Sequence, residues 1–204
     1  VYDPARNALF IASKGRGAFL NDRRLRVSKR NRMTDALIGT GFPFRRGDDF
    51  KRYMQMLGMV MQSCAGVRRP GSAALDLCHV AAGAYDGFFE PGLSPWDMAA
   101  GALMVTEAGG LIGNFTGESD FLYQKEVIAG NPKIYGQLVQ MLTPFSQVGK
   151  GDAMDVPGKR QDLTPEEALA ATLADSAPER DALPKAAAVR VRRPAPSAKG
   201  STTP

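Results

Sequence analysis

From Asp35 onward, short apolar runs alternate with stripes of helical spacing, and this alternation constrains the fold more than anything else in the chain. Ala36-Leu37-Ile38-Gly39-Thr40-Gly41-Phe42 reads as a short apolar strand. Asp48 or Asp49 can then cap a helix whose apolar positions are Phe50, Tyr53, Met54, Leu57, Val60, Met61 and Cys64. That is the i, i+3, i+4, i+7 spacing of an amphipathic helix. Gly66 to Arg69 is a brief strand, Ser72 to Ala82 a second helix and Gly87 to Glu90 the strand after it. Pro95 to Ala108 is a third helix, closed by Gly109-Gly110. Two strands, at 111–113 and 127–129, precede a final helix from Pro132 to about Phe145. Strands alternating with helices imply a sheet covered on both faces.

Residues 1–34 follow another rule. The turn signals Asp3-Pro4-Ala5-Arg6-Asn7, Gly15-Arg16-Gly17 and Asn21-Asp22 separate alternating runs at 8–12, 18–20 and 24–28. These are paired antiparallel strands. Three domains follow: strands of an antiparallel sheet over 1–34, an α/β domain over 35–147, and a tail over 148–204. The tail is rich in Ala, Pro, Lys and Arg and lacks aromatics. It buries too little to repay the entropy of ordering, so disorder is expected there, with one short transient helix at 164–174.

At 204 residues, 44% hydrophobic and 23% charged, the chain can bury a sizeable core and is ordinary for a globular protein. No apolar run reaches the roughly 20 residues of a membrane span, and no leader pattern is visible, so the expected address is the cytoplasm. Cys64 and Cys78 read as buried free thiols without a metal-ligand spacing. The single histidine, His79, follows Cys78 directly. Adjacent helical positions point about 100° apart, so the two form no dyad. The net charge of +5 includes a basic cluster at Arg23, Arg24, Arg26, Lys29, Arg30 and Arg32. It reads as a solvated hairpin end, compatible with an RNA or acidic partner but without interleaved aromatics for base stacking.

The chemistry concentrates between Gly71 and Gly110. Ser94-Pro95-Trp96-Asp97 is a helix start, with Ser94 at the N-cap, Pro95 at N1 and Asp97 at N3. A first-turn aspartate can complement the helix dipole, and it can also point out of the helix end toward a cation. Both readings can hold together. Glu90 ends a strand, where a carboxylate is commonly solvated or paired. Gly71-Ser72-Ala73 is a small-residue turn opening a helix, and taken alone it is an N-cap.

Trp96-Asp97-Met-Ala-Ala-Gly101 through Thr106-Glu107-Ala-Gly-Gly110 resembles the C-terminal signature of the inositol monophosphatase family, Mg2+-dependent phosphomonoesterases. The spacings from Gly71 to Glu90 and Asp97 fit that family without gaps, and the resemblance covers about residues 1–145, nearest its bacterial SuhB-type branch. It implies a layered α/β fold, a carbohydrate-phosphatase-like α/β/α/β/α sandwich, of which this chain holds the C-terminal half and part of the antiparallel sheet. It implies that Asp97 binds Mg2+ and substrate, and that Glu90 accepts hydrogen bonds from substrate hydroxyls. Gly71, Ser72 and Ala73 would line the substrate site, and Glu107 would belong to helix packing or capping. It further implies an inositol phosphate or similar polyol phosphate as ligand and a homodimer. Histidinol phosphate, fructose bisphosphate or a nucleotide 3′-phosphate are alternative substrates. A transcription-antitermination partner binding transcription factors or RNA is the non-enzymatic alternative.

Phosphate-monoester hydrolysis demands a barrier reduction on the order of 20 kcal/mol. The family meets it with clustered cations held by an upstream Glu and an Asp-Pro-[Ile/Leu]-Asp-Gly-[Thr/Ser] motif. This sequence lacks that motif: Asp3-Pro4 is followed by Ala-Arg. The sequence also opens at Val1 rather than Met. The expectation is an N-terminally truncated chain that is incomplete for catalysis, with no catalytic residue assigned.

Overall fold

The computed structural model describes residues 1–44 and 47–148. Apart from Val148, the tail expected over 148–204 and its short helix at 164–174 lie outside the described residues.

Strands β1 (Tyr2–Asp3), β2 (Ala8–Ser13), β3 (Gly17–Leu20) and β4 (Arg23–Arg24) form an antiparallel sheet in chain order. Its turns use residues that tolerate positive φ: Asn7 at 49°, Gly15 at 76° and Asn21 at 42°. The strand expected over 24–28 shortens to β4. Leu25 N–H still donates to Ala18 O, but Val27 N–H turns away to Ala108 O at the end of a later helix.

The second part runs β5 (Leu37–Thr40), α1 (Phe50–Ser63), β6 (Gly66–Arg68), α2 (Ala73–Ala81), β7 (Gly87–Pro91), α3 (Pro95–Glu107), β8 (Leu111–Gly113), β9 (Glu126–Gly130) and α4 (Pro132–Leu142). The sheet order is β6-β5-β7-β9-β8. β6, β5 and β7 are mutually parallel, and β9 is antiparallel to β7 and β8. Parallel neighbours need long crossovers, which α1 and α2 provide.

Side chains alternate across this sheet. Phe88, Val127 and Ala129 enter one core with Leu77, Met98 and Val105 of α2 and α3. Ile38, Phe89 and Ile128 enter the other with Tyr53, Val60, Ile134 and Leu138 of α1 and α4. Each fully buried phenylalanine contributes roughly 2–3 kcal/mol by leaving water. Phe10 and Ala18 of the first sheet, with Leu25 just after it, join the α2–α3 core, giving the layer order sheet, helices, sheet, helices. These are four successive layers of the expected sandwich.

Helix α1 corrects one expectation. Tyr53, Met56 and Val60 are buried and Leu57 and Cys64 pack beside them, whereas Phe50, Met54 and Met61 stay exposed. The reason is an anchor that hydropathy does not register. Arg52 pairs with buried Glu126 of β9 and donates from Nε to Phe145 O at 2.6 Å. That fixes the 52/56/60 side of the helix inward. Cys64 is the helix C-cap and half-buried, Cys78 is buried, and both are free thiols. Among the described residues no helix is long and apolar enough to cross a membrane.

Candidate functional site

A cavity of about 380 Å³ lies where the three parallel strands end. Gly41 to Phe44 follow β5, Arg69 and Gly71 follow β6, and Glu90 to Leu93 complete and follow β7. The carboxyl ends of parallel strands are where open α/β sheets take ligands, because the strand-to-helix turns there splay apart. The starts of α2 and α3 supply the remaining wall through Ser72, Ala73, Ala74, Trp96 and Asp97. Gly71, Ser72, Ala73, Glu90 and Asp97, the residues singled out from sequence, therefore line one cavity.

Helix α3 opens with Pro95 after the Ser94 N-cap. The Ser94 N–H donates to Asp97 Oδ2 at 3.0 Å, so the capping reading of Asp97 holds for one oxygen. The other oxygen makes no hydrogen bond among the described residues. Among the small residues after Asp97, Gly101 packs closely against α2. A Cβ there would sit 2.5 Å from Leu77 Cβ, while Ala99 and Ala100 are exposed.

Helix α2 starts differently. Gly71 has φ of 101°, a conformation glycine adopts without strain. Ser72 stands at the N-cap with extended backbone, yet its hydroxyl makes no capping hydrogen bond. The N–H groups of the first helical turn have no intrahelical acceptor, and among the described residues no side chain caps them. Such a turn offers donors and a positive dipole end to an anion.

Glu90 lies directly over Gly41. Any side chain at 41 would collide with its carboxylate. Gly41 is thus a site residue that the sequence reading took only as part of a strand. A glycine inside an apolar run, where another group approaches the backbone, was the available signal. The rim was missed as well. The Arg69 guanidinium stacks 4.5 Å from the Phe44 ring centroid and 4.9 Å from that of Phe42. Trp96 stands 80% exposed at the mouth. Beneath the rim, Tyr53 OH and Thr40 Oγ1 share a buried hydrogen bond of 3.2 Å, and burial raises the Tyr53 phenol above its ordinary range.

Cys78, His79 and Glu107 lie outside the cavity. Burial pushes the Cys78 thiol up to about 11 and lowers His79, whose ring packs against Phe10 and Tyr85. Glu107 accepts the N–H groups of Gly15 and Gly17 at 2.7 and 2.8 Å, bonds that hold its carboxyl below the usual range. It ties the β2–β3 turn to the end of α3.

Three carboxylates, Asp48, Glu90 and Asp97, line the cavity beside Arg69. Hard-cation sites require several converging oxygens, near-octahedral for Mg2+. Among the described residues no group of three or more His, Cys, Asp or Glu side chains could hold a metal. The residues present therefore do not complete a cation site. The cavity presents carboxylate acceptors beside the N–H donors of the α2 start.

Comparison with known proteins accords with this architecture. The model of the inositol monophosphatase family matches residues 1–146. "Nus factor SuhB" of Pseudomonas aeruginosa is 53% identical over 146 residues, covering 71% of this chain and 54% of that protein. The crystal structure of extragenic suppressor protein suhB from Bartonella henselae superposes with a TM-score of 0.66 at 49% identity, covering 69% of this chain and 55% of that one. The inositol monophosphatase from Anabaena sp. PCC 7120 gives a TM-score of 0.66 at 37% identity, over 70% and 57% of the two chains. The chain spans about half the length of the curated relatives it matches. With the motifs, the sheet order and the cavity in agreement, the chain belongs to the inositol monophosphatase family.

Proposed function

We propose that this chain carries the substrate-recognition part of a Mg2+-dependent phosphomonoesterase that converts inositol monophosphate to inositol and phosphate. Its family is generally metal-dependent. In this reading the start of α2 at Gly71-Ser72-Ala73 lines the substrate site and offers N–H groups to ligand hydroxyls or phosphate oxygens, and Glu90 accepts hydrogen bonds from ligand hydroxyls. Asp97, one oxygen of which accepts from the Ser94 N–H, would be this chain's single contribution to holding a cation, whose chemistry would be to polarise the phosphate and activate water. The single observation that carries the reading is the gathering of these residues, from the ends of β6 and β7, around one cavity that the end of β5 completes.

The test is titration of inositol 1-phosphate into the full chain, followed at the backbone amides of 71–73. Glu90→Gln is expected to weaken binding by about tenfold, because one charged acceptor is lost. An unchanged affinity would remove Glu90 from the site. Since one aspartate cannot hold a cation cluster, the purified chain alone is expected to release phosphate no faster than solution background. Mg2+-dependent turnover by that chain would overturn this expectation.

A second reading is favoured by the names of relatives near 50% identity, Nus factor SuhB. In it the chain acts as a binding partner of transcription factors or RNA, as a homodimer, and hydrolysis is dispensable. Arg23 and Lys29 are exposed on the basic segment. Capture of transcription-antitermination factors should then survive Asp97→Asn and fail when Arg23 and Lys29 are both replaced by Glu.

A further inference from the structure

Tyr53 of α1 stands behind the cavity wall without lining it, and its side chain is 1% exposed. Its phenol shares a 3.2 Å hydrogen bond with the hydroxyl of Thr40, the last residue of β5 and itself fully buried. Thr40 Oγ1 also donates to Gly41 O at 3.3 Å. A hydroxyl carries one proton. With the Thr40 proton committed to Gly41, Tyr53 is the donor to Thr40, and the two bonds run in one direction, from the phenol to the Gly41 carbonyl.

Gly41 is the residue against which the Glu90 carboxylate lies, since any Cβ there would collide with it. The Tyr53 ring reaches both sides of that contact. It stacks on Phe89, the residue before Glu90, at 6.3 Å between centroids and 22° between planes. It meets Phe42, the residue after Gly41, edge-on at 5.9 Å. Thr40 and Phe89 are themselves partners in the β5–β7 ladder.

We propose that Tyr53 is a positioning residue for ligand recognition at Glu90, its phenol holding the Gly41 carbonyl through Thr40 while its ring fixes the residues beside Gly41 and Glu90. The inference rests on the reading of Glu90 as the acceptor of ligand hydroxyls and adds what keeps that acceptor in place.

Packing alone does not account for a phenol here. Phenylalanine fills comparable fully buried positions at 88, 89 and 115, and a buried hydroxyl costs stability unless it is bonded. Burial holds the phenol above its ordinary range, opposed by the Thr40 hydrogen bond and assisted by the Glu90 charge, so it stays protonated and remains a donor at neutral pH. The helix that carries it is anchored next door, where Arg52 pairs with Glu126 and donates to Phe145 O. A glutamate with free torsions loses rotamer freedom when a ligand engages it, and one already seated against a fixed backbone loses less.

The test titrates inositol 1-phosphate into the full chain, followed at the Gly41 amide and the Glu90 carboxyl carbon. Tyr53→Phe keeps the ring and removes the first bond, and Thr40→Val keeps the shape and removes both. Each is expected to weaken binding about threefold, the scale of one buried hydrogen bond. The double variant should lose no more than Thr40→Val alone, because a single relay is cut. Thr40→Ser restores the hydroxyl and is expected to bind as the wild type does. A residue that only filled the core would lower the urea midpoint of Tyr53→Phe and leave its affinity unchanged. That outcome, or fully additive losses in the double variant, overturns the inference and leaves Glu90 as the acceptor. Failure of the wild type to bind inositol 1-phosphate overturns the functional reading and the inference with it. A second measurement uses the wild type alone and does not depend on any variant folding. Ligand binding should move the Tyr53 Cζ resonance together with those of Gly41 and Glu90, although Tyr53 does not line the cavity. Shifts at Gly41 and Glu90 with Tyr53 unmoved rule the proposal out.

Discussion

The starts of α2 and α4 face the same problem and answer it in opposite ways. At α4, Asn131 Oδ1 accepts the N–H groups of Lys133 and Ile134 at 3.0 and 3.1 Å, and its own amide donates to Ser28 Oγ at 2.9 Å. That end is closed and joins two parts of the chain. At α2, Ser72 occupies the equivalent position and caps nothing, while Asp76, the acid in its opening turns, is buried and unpartnered. Helix α1 is closed like α4, by Asp49 accepting from Arg52 N–H at 2.9 Å. The starts of α1 and α4 are closed by their caps, although Asp48 beside the α1 cap also lines the cavity. The start of α2 leaves its donors without a side-chain cap, and α3 stands between the two with one aspartate oxygen bonded and one not.

The contrast breaks first if Asp76 is not neutral. Folding raises its carboxyl from 3.8 to about 7, so between those values the folded chain holds a proton the unfolded chain has released. Stability from this group is therefore full below pH 4 and lost as pH rises through 7. The expected loss is about 3 kcal/mol after allowance for screening. Denaturant midpoints at pH 4.5 and 8 should differ accordingly, and Asp76→Asn should remove most of that difference.

A smaller effect separates the two caps directly. Asn131→Ala is expected to cost about 2 kcal/mol, since it strips two helix N–H groups and a buried cross-link. Ser72→Ala should cost less than about 0.5 kcal/mol, because no cap bond is lost. Urea denaturation of both variants checks the pair, and equal costs would erase the distinction between closed and open ends.

Gly41→Ala acts on the ligand side of the contrast. The new methyl group must displace the Glu90 carboxylate, and inositol 1-phosphate affinity is expected to fall about fivefold. The fold should persist, as judged by an unchanged amide spectrum for α4. The mildest expected effect is at the far end of α3. Glu107→Gln keeps the shape but weakens the charge-assisted bonds to Gly15 and Gly17, so hydrogen exchange at those two amides should quicken severalfold with α3 otherwise unaffected.

Much of the frame could be read directly from residue order. The period change at Asp35, Pro95 and Pro132 at helix starts, and the apolar strands around Phe88-Phe89 and Val127-Ile128-Ala129 all reappear as expected. The errors have physical causes outside hydropathy. Arg52–Glu126 turned α1 so that Met56 replaced Met54 in the core. Ala108 O captured Val27 N–H and ended β4 early. Gly41, Arg69, Phe42 and Phe44 were not read as site residues, because their importance lies in what approaches them across 25 or more residues of chain.

Sequence alone determined the order of strands and helices, the two-faced sheet, and which residues stand at helix starts. These follow from local periodicity and from backbone chemistry that each residue carries with it. Only the tertiary structure decided that three strand ends meet in one cavity, that Ser72 leaves its helix uncapped, and that Asp76 is sealed from water without a partner. Burial and partnership are properties of a packed neighbourhood, and a residue acquires them only when distant parts of the chain close around it.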